Sequence, residues 1–216
     1  LTLSTGNNVA NSDITASGNI SGVTTLTLAD VGGTATFSGD VDVTTLTVGN
    51  TVANVAFTGN GSSVANAVSF ANDGTLTLGT SGGTQTFNGG LTTTSGTVIL
   101  NGTIQSSDDN MIFGAVTLGS TTVIDTNATS TNTGDIAIDS ITGGSNALTL
   151  STENNVTQTD IEIVGAVTGI TTLTLVNIGD HIDFSGSVNA TTLSVDNTVN
   201  RVTFDGNTTI TNAVSF

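Results

Sequence analysis

Short clusters of alternating apolar and polar residues recur along the chain, as in LTL, LTV, VAF, QTF, IAI, IEI and VTF. An alternation with a period of two over three to five residues predicts a strand that buries one of its faces. Thr, Val and Ile dominate the clusters, and Gly, Asn, Asp and Ser, which tolerate tight backbone conformations, stand between them. No stretch has a sustained helical period. The pattern therefore predicts an all-β chain with almost no helix.

The clusters repeat at a spacing of twenty residues. The text TTLTL at 24–28 returns as TTLTV at 44–48, and the relation recurs near the end of the chain. Self-similarity at a fixed spacing is typical of repeat architectures. The matched apolar pairs are Leu26 and Leu46, Phe37 and Phe57, Leu173 and Leu193, and Phe184 and Phe204.

Such a short repeat of strands predicts a parallel β-solenoid with about twenty residues in each turn. Turns stacked about 4.8 Å apart would give roughly eleven turns and a rod about 50 Å long. The matched pairs would form inward ladders of like side chains. A string of antiparallel sandwich domains is the competing fold, but such domains lack like-on-like matches and usually carry Trp or Tyr, which this chain does not contain.

A longer repeat encloses the short one. Residues 1–59 match the text 147 residues further on at roughly half of their positions. We therefore expect regular turns over 1–70, irregular turns with longer loops over 71–147, and a second copy of the first unit over 148–216. The longer loops are expected at 106–110 and 127–134.

The strongly negative charge of the chain limits the classes of molecule that it is expected to bind. The formal net charge is −16, and Arg201 is the single Lys or Arg residue. Binding to nucleic acid or to an anionic membrane needs basic residues that replace counterions, so neither partner is expected. No apolar run reaches the length of a membrane span, and the absence of Cys excludes disulfides.

Units such as GVTTLTLADVGGTATFSGDVDVTTLTVGN and TGDIAIDSITGGSNALTLST resemble the β-strand-repeat regions of giant secreted bacterial proteins. Among these are filamentous-haemagglutinin-like adhesins and extracellular matrix fibres. The resemblance covers essentially the whole chain and lies in its style of repeat. It implies a right-handed β-helix, export from a bacterial cell, an extracellular or cell-surface location, and a role as a stalk, adhesin or fibre.

Candidate catalytic groups are sparse. Asp108 and Asp109 are the one adjacent carboxylate pair, whereas cleavage of sugars by inversion needs two carboxyl groups at a set distance with sugar-binding partners around them. His181 and Arg201 lie twenty residues apart and would be neighbours in adjacent turns, but their counterparts in the first copy are a Thr and an Asn. We therefore expect no enzyme activity and no cofactor.

Calcium is the candidate ligand that the carboxylates favour. Asp40 and Asp42 form one DxD pair, and Asp180 and Asp183 lie together at a predicted turn. Hard cations bind several carboxylate and carbonyl oxygens. The GGxGxD calcium repeat of other solenoids is absent, however, and its absence favours the interpretation that these carboxylates are solvated charges at corners.

Together these observations predict that the chain is a structural protein, the shaft of an extracellular fibre or adhesin, without catalytic activity. Strand patterns open the chain at LTL and close it at AVSF, which predicts head-to-tail stacking into filaments or a place in a longer array. The alternative is a β-helix that binds carbohydrate or another ligand in its irregular middle, with a cell-surface or matrix polysaccharide as the partner.

Overall fold

The fold was determined from a computed structural model, which describes residues 1–6, 9–94, 96–126, 134–152 and 158–214. Twenty-one strands make up the described chain. In chain order they are β1 Thr2–Leu3, β2 Ile14–Ala16, β3 Ile20–Leu28, β4 Val31–Phe37, β5 Val41–Val48, β6 Val52–Phe57, β7 Ser63–Val64, β8 Val68–Phe70, β9 Leu76–Leu78, β10 Thr84–Phe87, β11 Leu91–Thr93, β12 Val98–Ser106, β13 Met111–Asp125, β14 Ile136–Thr142, β15 Leu148–Ser151, β16 Asp160–Ile163, β17 Val167–Val176, β18 His181–Phe184, β19 Val188–Val195, β20 Val202–Phe204 and β21 Thr208–Ile210.

All strand pairs are parallel, and they join every strand into one sheet that coils on itself. Following the partners from turn to turn gives three columns of stacked strand segments, so each full turn has three faces. One column runs from Ile14 through Ala35 and Val55 up to Val188. The predicted parallel β-solenoid is therefore confirmed, with no helix in the described residues, while the right-handed sense of the coil stays a prediction.

The solenoid has about 9 turns of about 21 residues. The expected count of eleven turns was too high because several turns are longer than the twenty residues that the repeat predicts. Val98 pairs with Val116 across a short turn, whereas Thr122 pairs with Leu148 across a much longer one. Long turns lower the number of turns that a chain of fixed length can make.

The core runs through the middle of the coil. Strands alternate buried and outward positions, as in β4, where every second residue from Val31 to Phe37 is buried. Phe37 stacks on Phe57 with ring centroids 4.8 Å apart, and Phe184 stacks on Phe204 at 5.0 Å. Leucines of adjacent turns are partners in the same way, Leu26 with Leu46 and Leu173 with Leu193.

Glycines stack at a corner that follows the phenylalanine column. A Cβ atom on Gly39 would lie 2.4 Å from the carbonyl carbon of Gly18 in the turn before, and a Cβ atom on Gly186 would lie 2.3 Å from that of Gly165. No real Cβ atom approaches a backbone so closely. The short repeat therefore places glycine where two backbones of successive turns meet.

The two long copies occupy different faces of the coil. Ile14 and Ile161 are equivalent by the long repeat, yet Ile161 stacks in the column that contains Leu28 and Met111, not in the column of Ile14. Long strands cross a corner and belong to more than one column: β3, β5, β12 and β14 to two each, and β13 to three. Counted in this way, Ile161 lies twenty segments after Ile14, which at three segments to a turn makes six and two-thirds turns. The second copy is thus rotated by one third of a turn about the axis.

The division into 1–70, 71–147 and 148–216 stays a prediction, since strands from all three parts share one sheet and one core. The loop expected at 106–110 is a short corner between β12 and β13. Most of the loop expected at 127–134 lies outside the described residues.

Candidate functional site

One outward face carries a strip of carboxylates, which we call the acidic strip, formed by Asp135, Asp160, Glu162 and Asp183. Parallel pairing places Glu162 of β16 directly beside Asp183 of β18. The Oδ1 atom of Asp135 accepts the amide of Asp160 at 3.0 Å, which brings these two acids into successive turns of one column. Like charges that lie opposite each other on neighbouring strands destabilise the pair. The strip therefore concentrates negative charge that this face must neutralise or solvate.

The corner hydrogen bonds explain why acids occupy these positions. Asn110 Oδ1 accepts the amide of Asp135 at 2.9 Å, just as Asp135 accepts from Asp160. In the first copy Asp13 Oδ1 accepts the amide of Thr34 at 2.7 Å. A short Asn or Asp side chain at the start of a strand thus satisfies an amide in the next turn.

His181 lies at the end of the strip among three carboxylates. Its Nδ1 atom is 3.0 Å from Asp160 Oδ1 and 3.6 Å from Asp180 Oδ2, and its Nε2 atom is 3.3 Å from Asp183 Oδ2. The imidazole is mostly buried, with 21% of the side chain exposed. We call Asp160, Asp180, His181 and Asp183 the His181 cluster.

Burial raises the pKa of the Asp160 carboxyl above its usual value. Coulombic attraction to His181 opposes this rise in pKa, the carboxylates of Asp180 and Asp135 add to it, and a hydrogen bond from the backbone of His181 opposes it slightly. The pattern of causes is that of a negative charge held in a partly desolvated place beside other negative charges.

Two shallow grooves adjoin the acidic strip. One, of about 230 Å³, is bordered by Ile112, Asp135, Asp160 and Glu162. The other, of about 370 Å³, continues from it toward β11 and shares Ile112, whose side chain is 42% exposed. An exposed apolar residue between acids gives this face a mixed surface that a ligand could contact.

The sequence-predicted calcium ligands fall into two unlike settings. Asp180 and Asp183 both lie against His181, on opposite sides of its ring. Asp40 Oδ1 accepts the amide of Gly61 at 2.8 Å, and Asp42 is exposed on β5. Within the described ranges, Asp40 and Asp42 belong to no group of three His, Cys, Asp or Glu side chains at ligand spacing. Calcium at these positions stays a prediction.

The other candidate residues are dispersed. Asp108 is buried at a corner with φ of 67°, and Asp109 borders the larger groove. Arg201 is the neighbour of His181 in the next turn, because its carbonyl accepts the amide of Ile182 at 3.0 Å. No salt bridge of the described chain involves Arg201.

Sequence reasoning missed Asp160. The twenty-residue spacing links His181 with Arg201 on one side, but on the other side Asp160 is the strand partner of His181 at a slightly longer spacing. A search at the length of a full turn, about 21 residues, would have found the contact.

Comparison of the chain with protein-family models, with curated proteins and with solved structures finds no significant match in any of the three. The residues that the structure describes include no helix of the length and apolarity needed to cross a membrane.

We expect the substitution Asp160→Asn to stabilise the protein increasingly as the pH rises from about 4 to 7, in the presence of EDTA. Because the folded-state pKa is raised, the wild type holds this proton more tightly when folded, and that contribution is complete in acid and lost as the pH rises through the folded pKa. Urea unfolding at several pH values measures the difference, with Asp42→Asn as the control on an exposed strand position. A difference that shrinks as the pH rises would contradict the assignment.

Proposed function

We propose that the chain is a shaft segment of a secreted bacterial surface fibre or adhesin, without catalysis. The observation that carries this proposal is the parallel ladder that continues through about 9 turns around one buried core. In such a coil each turn bonds to both neighbours, so the rod resists bending and separation of its turns. The resemblance to β-strand-repeat regions of adhesins and matrix fibres supports the same role.

The geometry of the two ends supports self-association of the chain or its continuation into a longer array. Among the described residues, the first strands, β1 and β2, pair only with β3 and β4 respectively, and the last strands, β20 and β21, pair only with β18 and β19. Apolar side chains near these edges, among them Leu3 and Phe204, are only partly buried. An edge of this kind can accept another turn, from a further copy or from more of the same chain. The acidic sides, with a net charge of −16, would oppose lateral clumping.

Electron microscopy of negatively stained protein at rising concentration tests the proposal. We expect rods of constant width whose length increases in steps of one chain, and antibodies against the chain should label intact source cells. Thr2→Pro is the matched control. The backbone of Leu1 bonds to β3, and the carbonyl of Leu3 accepts the amide of Ala29, so the amide of Thr2 points to the open edge. Proline at position 2 would therefore block joining but leave the coil intact. Particles that never lengthen, together with label found only inside lysed cells, would contradict the proposal.

A second candidate function is binding of a surface or matrix polysaccharide along the two grooves. It is favoured by the exposed Ile112 between acidic positions and by the continuity of the grooves over several turns. The chain has no Trp or Tyr to stack on sugar rings, so contacts would be polar or bridged by cations. A glycan array with Ile112→Ser as the comparison variant decides this; retention that is equal for both proteins would exclude the grooves.

A further inference from the structure

The two ring nitrogens of His181 both face carboxylate oxygens, and a neutral imidazole cannot satisfy both contacts. Neutral histidine carries one N–H donor and one lone pair. With the N–H on Nε2, it points at Asp183 at 3.3 Å, and the Nδ1 lone pair then faces Asp160 at 3.0 Å and Asp180 at 3.6 Å. Three sets of lone pairs meet on that side. A positive ion between them would turn this repulsion into attraction.

Two of the atoms at this point are buried, while the carboxylates around them are partly exposed. His181 Nδ1 and Asp160 Oδ1 are buried and lie 3.0 Å apart, and neither atom makes a well-directed hydrogen bond within the described chain. In the tautomer with the N–H on Nε2, Nδ1 and Asp160 Oδ1 are two buried acceptors that face each other, and this arrangement costs free energy unless a cation joins them. The carboxylates of Asp160 and Asp180 keep 42% and 47% of their side-chain surface exposed, which leaves an open side for entry and for water ligands.

The spacing matches the ligand set of a small divalent ion. Ligand atoms of Asp160, Asp180 and His181 all lie within 4.8 Å of one another. Bonds of about 2.0–2.2 Å to a tetrahedral or octahedral ion hold ligand atoms roughly 3.0–3.5 Å apart, close to the separations of 3.0 and 3.6 Å from Nδ1. Small rotations of the exposed carboxylates complete the fit.

Asp183 takes the position of a supporting group. Histidines that bind a metal through one nitrogen generally donate the other N–H to a carboxylate or carbonyl, which fixes the tautomer and the ring orientation. Asp183 Oδ2, at 3.3 Å from Nε2, is placed to accept that hydrogen.

The first long copy lacks this arrangement although it has the same fold. Asp13, the counterpart of Asp160, is retained, and its neighbours in the next turn are changed. The differing pairs, first copy and second, are Gly33 and Asp180, Thr34 and His181, and Thr36 and Asp183. Three departures from the repeat thus each add a ligand-type side chain around one point. The folded first copy also shows that Thr fits where His181 stands.

We propose that Asp160, Asp180 and His181 bind one divalent transition-metal ion of the zinc class, with Asp183 orienting the imidazole. The nitrogen ligand distinguishes this site from calcium, which prefers oxygen ligands, and so refines the prediction for Asp180 and Asp183. The ion neutralises the end of the acidic strip and ties β16 to β18. This inference is independent of the shaft function, because an unbound rod would still fold through its ladder and core.

Calorimetric titration of the full chain with zinc chloride, after stripping with EDTA, tests the site. We expect one ion per chain and a melting temperature that rises with zinc, since an ion that binds only the folded state stabilises it. His181→Thr, which restores the residue of the first copy, should abolish both effects. Asp183→Thr should weaken binding by about 10–100-fold, as loss of a supporting carboxylate generally does.

Arg201→Asn, which also restores a residue of the first copy, is the control and should bind zinc like the wild type. Cobalt substitution adds a readout of ligand type, because a nitrogen and carboxylate set produces visible absorption bands that shift when His181 is removed. Unchanged zinc affinity in His181→Thr would overturn the proposal. A wild type that binds no zinc would also overturn it. Histidine NMR signals that report only a protonated ring would then show that a proton is the cation of this cluster.

Discussion

Phe37→Ala is expected to lower the free energy of unfolding by about 3–5 kcal/mol. The side chain of Phe37 is completely buried and stacks on Phe57 at 4.8 Å, so truncation leaves a cavity next to a ring that cannot collapse into it. Stacked turns hold the surrounding backbone at a fixed spacing, which limits relaxation. Urea unfolding followed by circular dichroism measures the loss.

Phe204→Ala provides the comparison for this prediction. Phe204 forms the same kind of stack, with Phe184 at 5.0 Å, but it is only partly buried and lies in the last turns described. We expect a clearly smaller loss for Phe204→Ala, because its cavity is open to water. Equal losses in the two variants would show that stacking alone, and not burial, sets the stability of the column.

Gly39→Ala is expected to cost at least about 3 kcal/mol, more than the insertion of a methyl group into most cores. The new Cβ atom would lie 2.4 Å from the carbonyl carbon of Gly18 and 2.6 Å from the amide nitrogen of Asn19. Both are backbone atoms that the ladder holds in place, so the two turns must separate. Thermal and urea unfolding report the cost.

The matched control is Gly18→Ala, one turn earlier in the same column. A Cβ atom on Gly18 meets nothing within 4 Å, so this variant should unfold within about 1 kcal/mol of the wild type. The pair separates the steric effect from the change in chain entropy, which is the same at both positions. A similar loss at both positions would mean that the glycines are selected for flexibility and not for close approach.

The columns of Phe and Leu could be predicted because like side chains recur where like turns stack. The predicted length of a turn, twenty residues, was slightly too small for a local structural reason. Ile20 pairs with Val41 but Val23 pairs with Val43, because a bulge between the two pairs shortens the spacing of the residues that follow it. The conspicuous TTLTL text lies after the bulge, so it reports twenty residues, while a full turn takes about 21 residues.

The longer turns could not be predicted from the recurrence of like side chains. Thr2 pairs with Thr27 and Ile136 pairs with Ile161, so both turns exceed the average length, and the extra residues leave the inward columns unbroken. Residues inserted at a corner do not change which strand positions face the core. The alternation of apolar and polar residues along the strands therefore does not reveal such insertions. The His181 cluster was missed for a related reason. Asp160 and His181 meet at the spacing of a full turn, which the TTLTL text does not report.

The rotation of the second copy has a consequence for any array built from the long unit. Each unit advances by six and two-thirds turns, so a side chain peculiar to one unit appears a third of the way round the axis in the next. Three units would complete twenty turns and return to the starting direction. In a shaft built this way, the variable positions of successive units would be related by a threefold screw axis. A surface approaching from any side would therefore meet one of every three units.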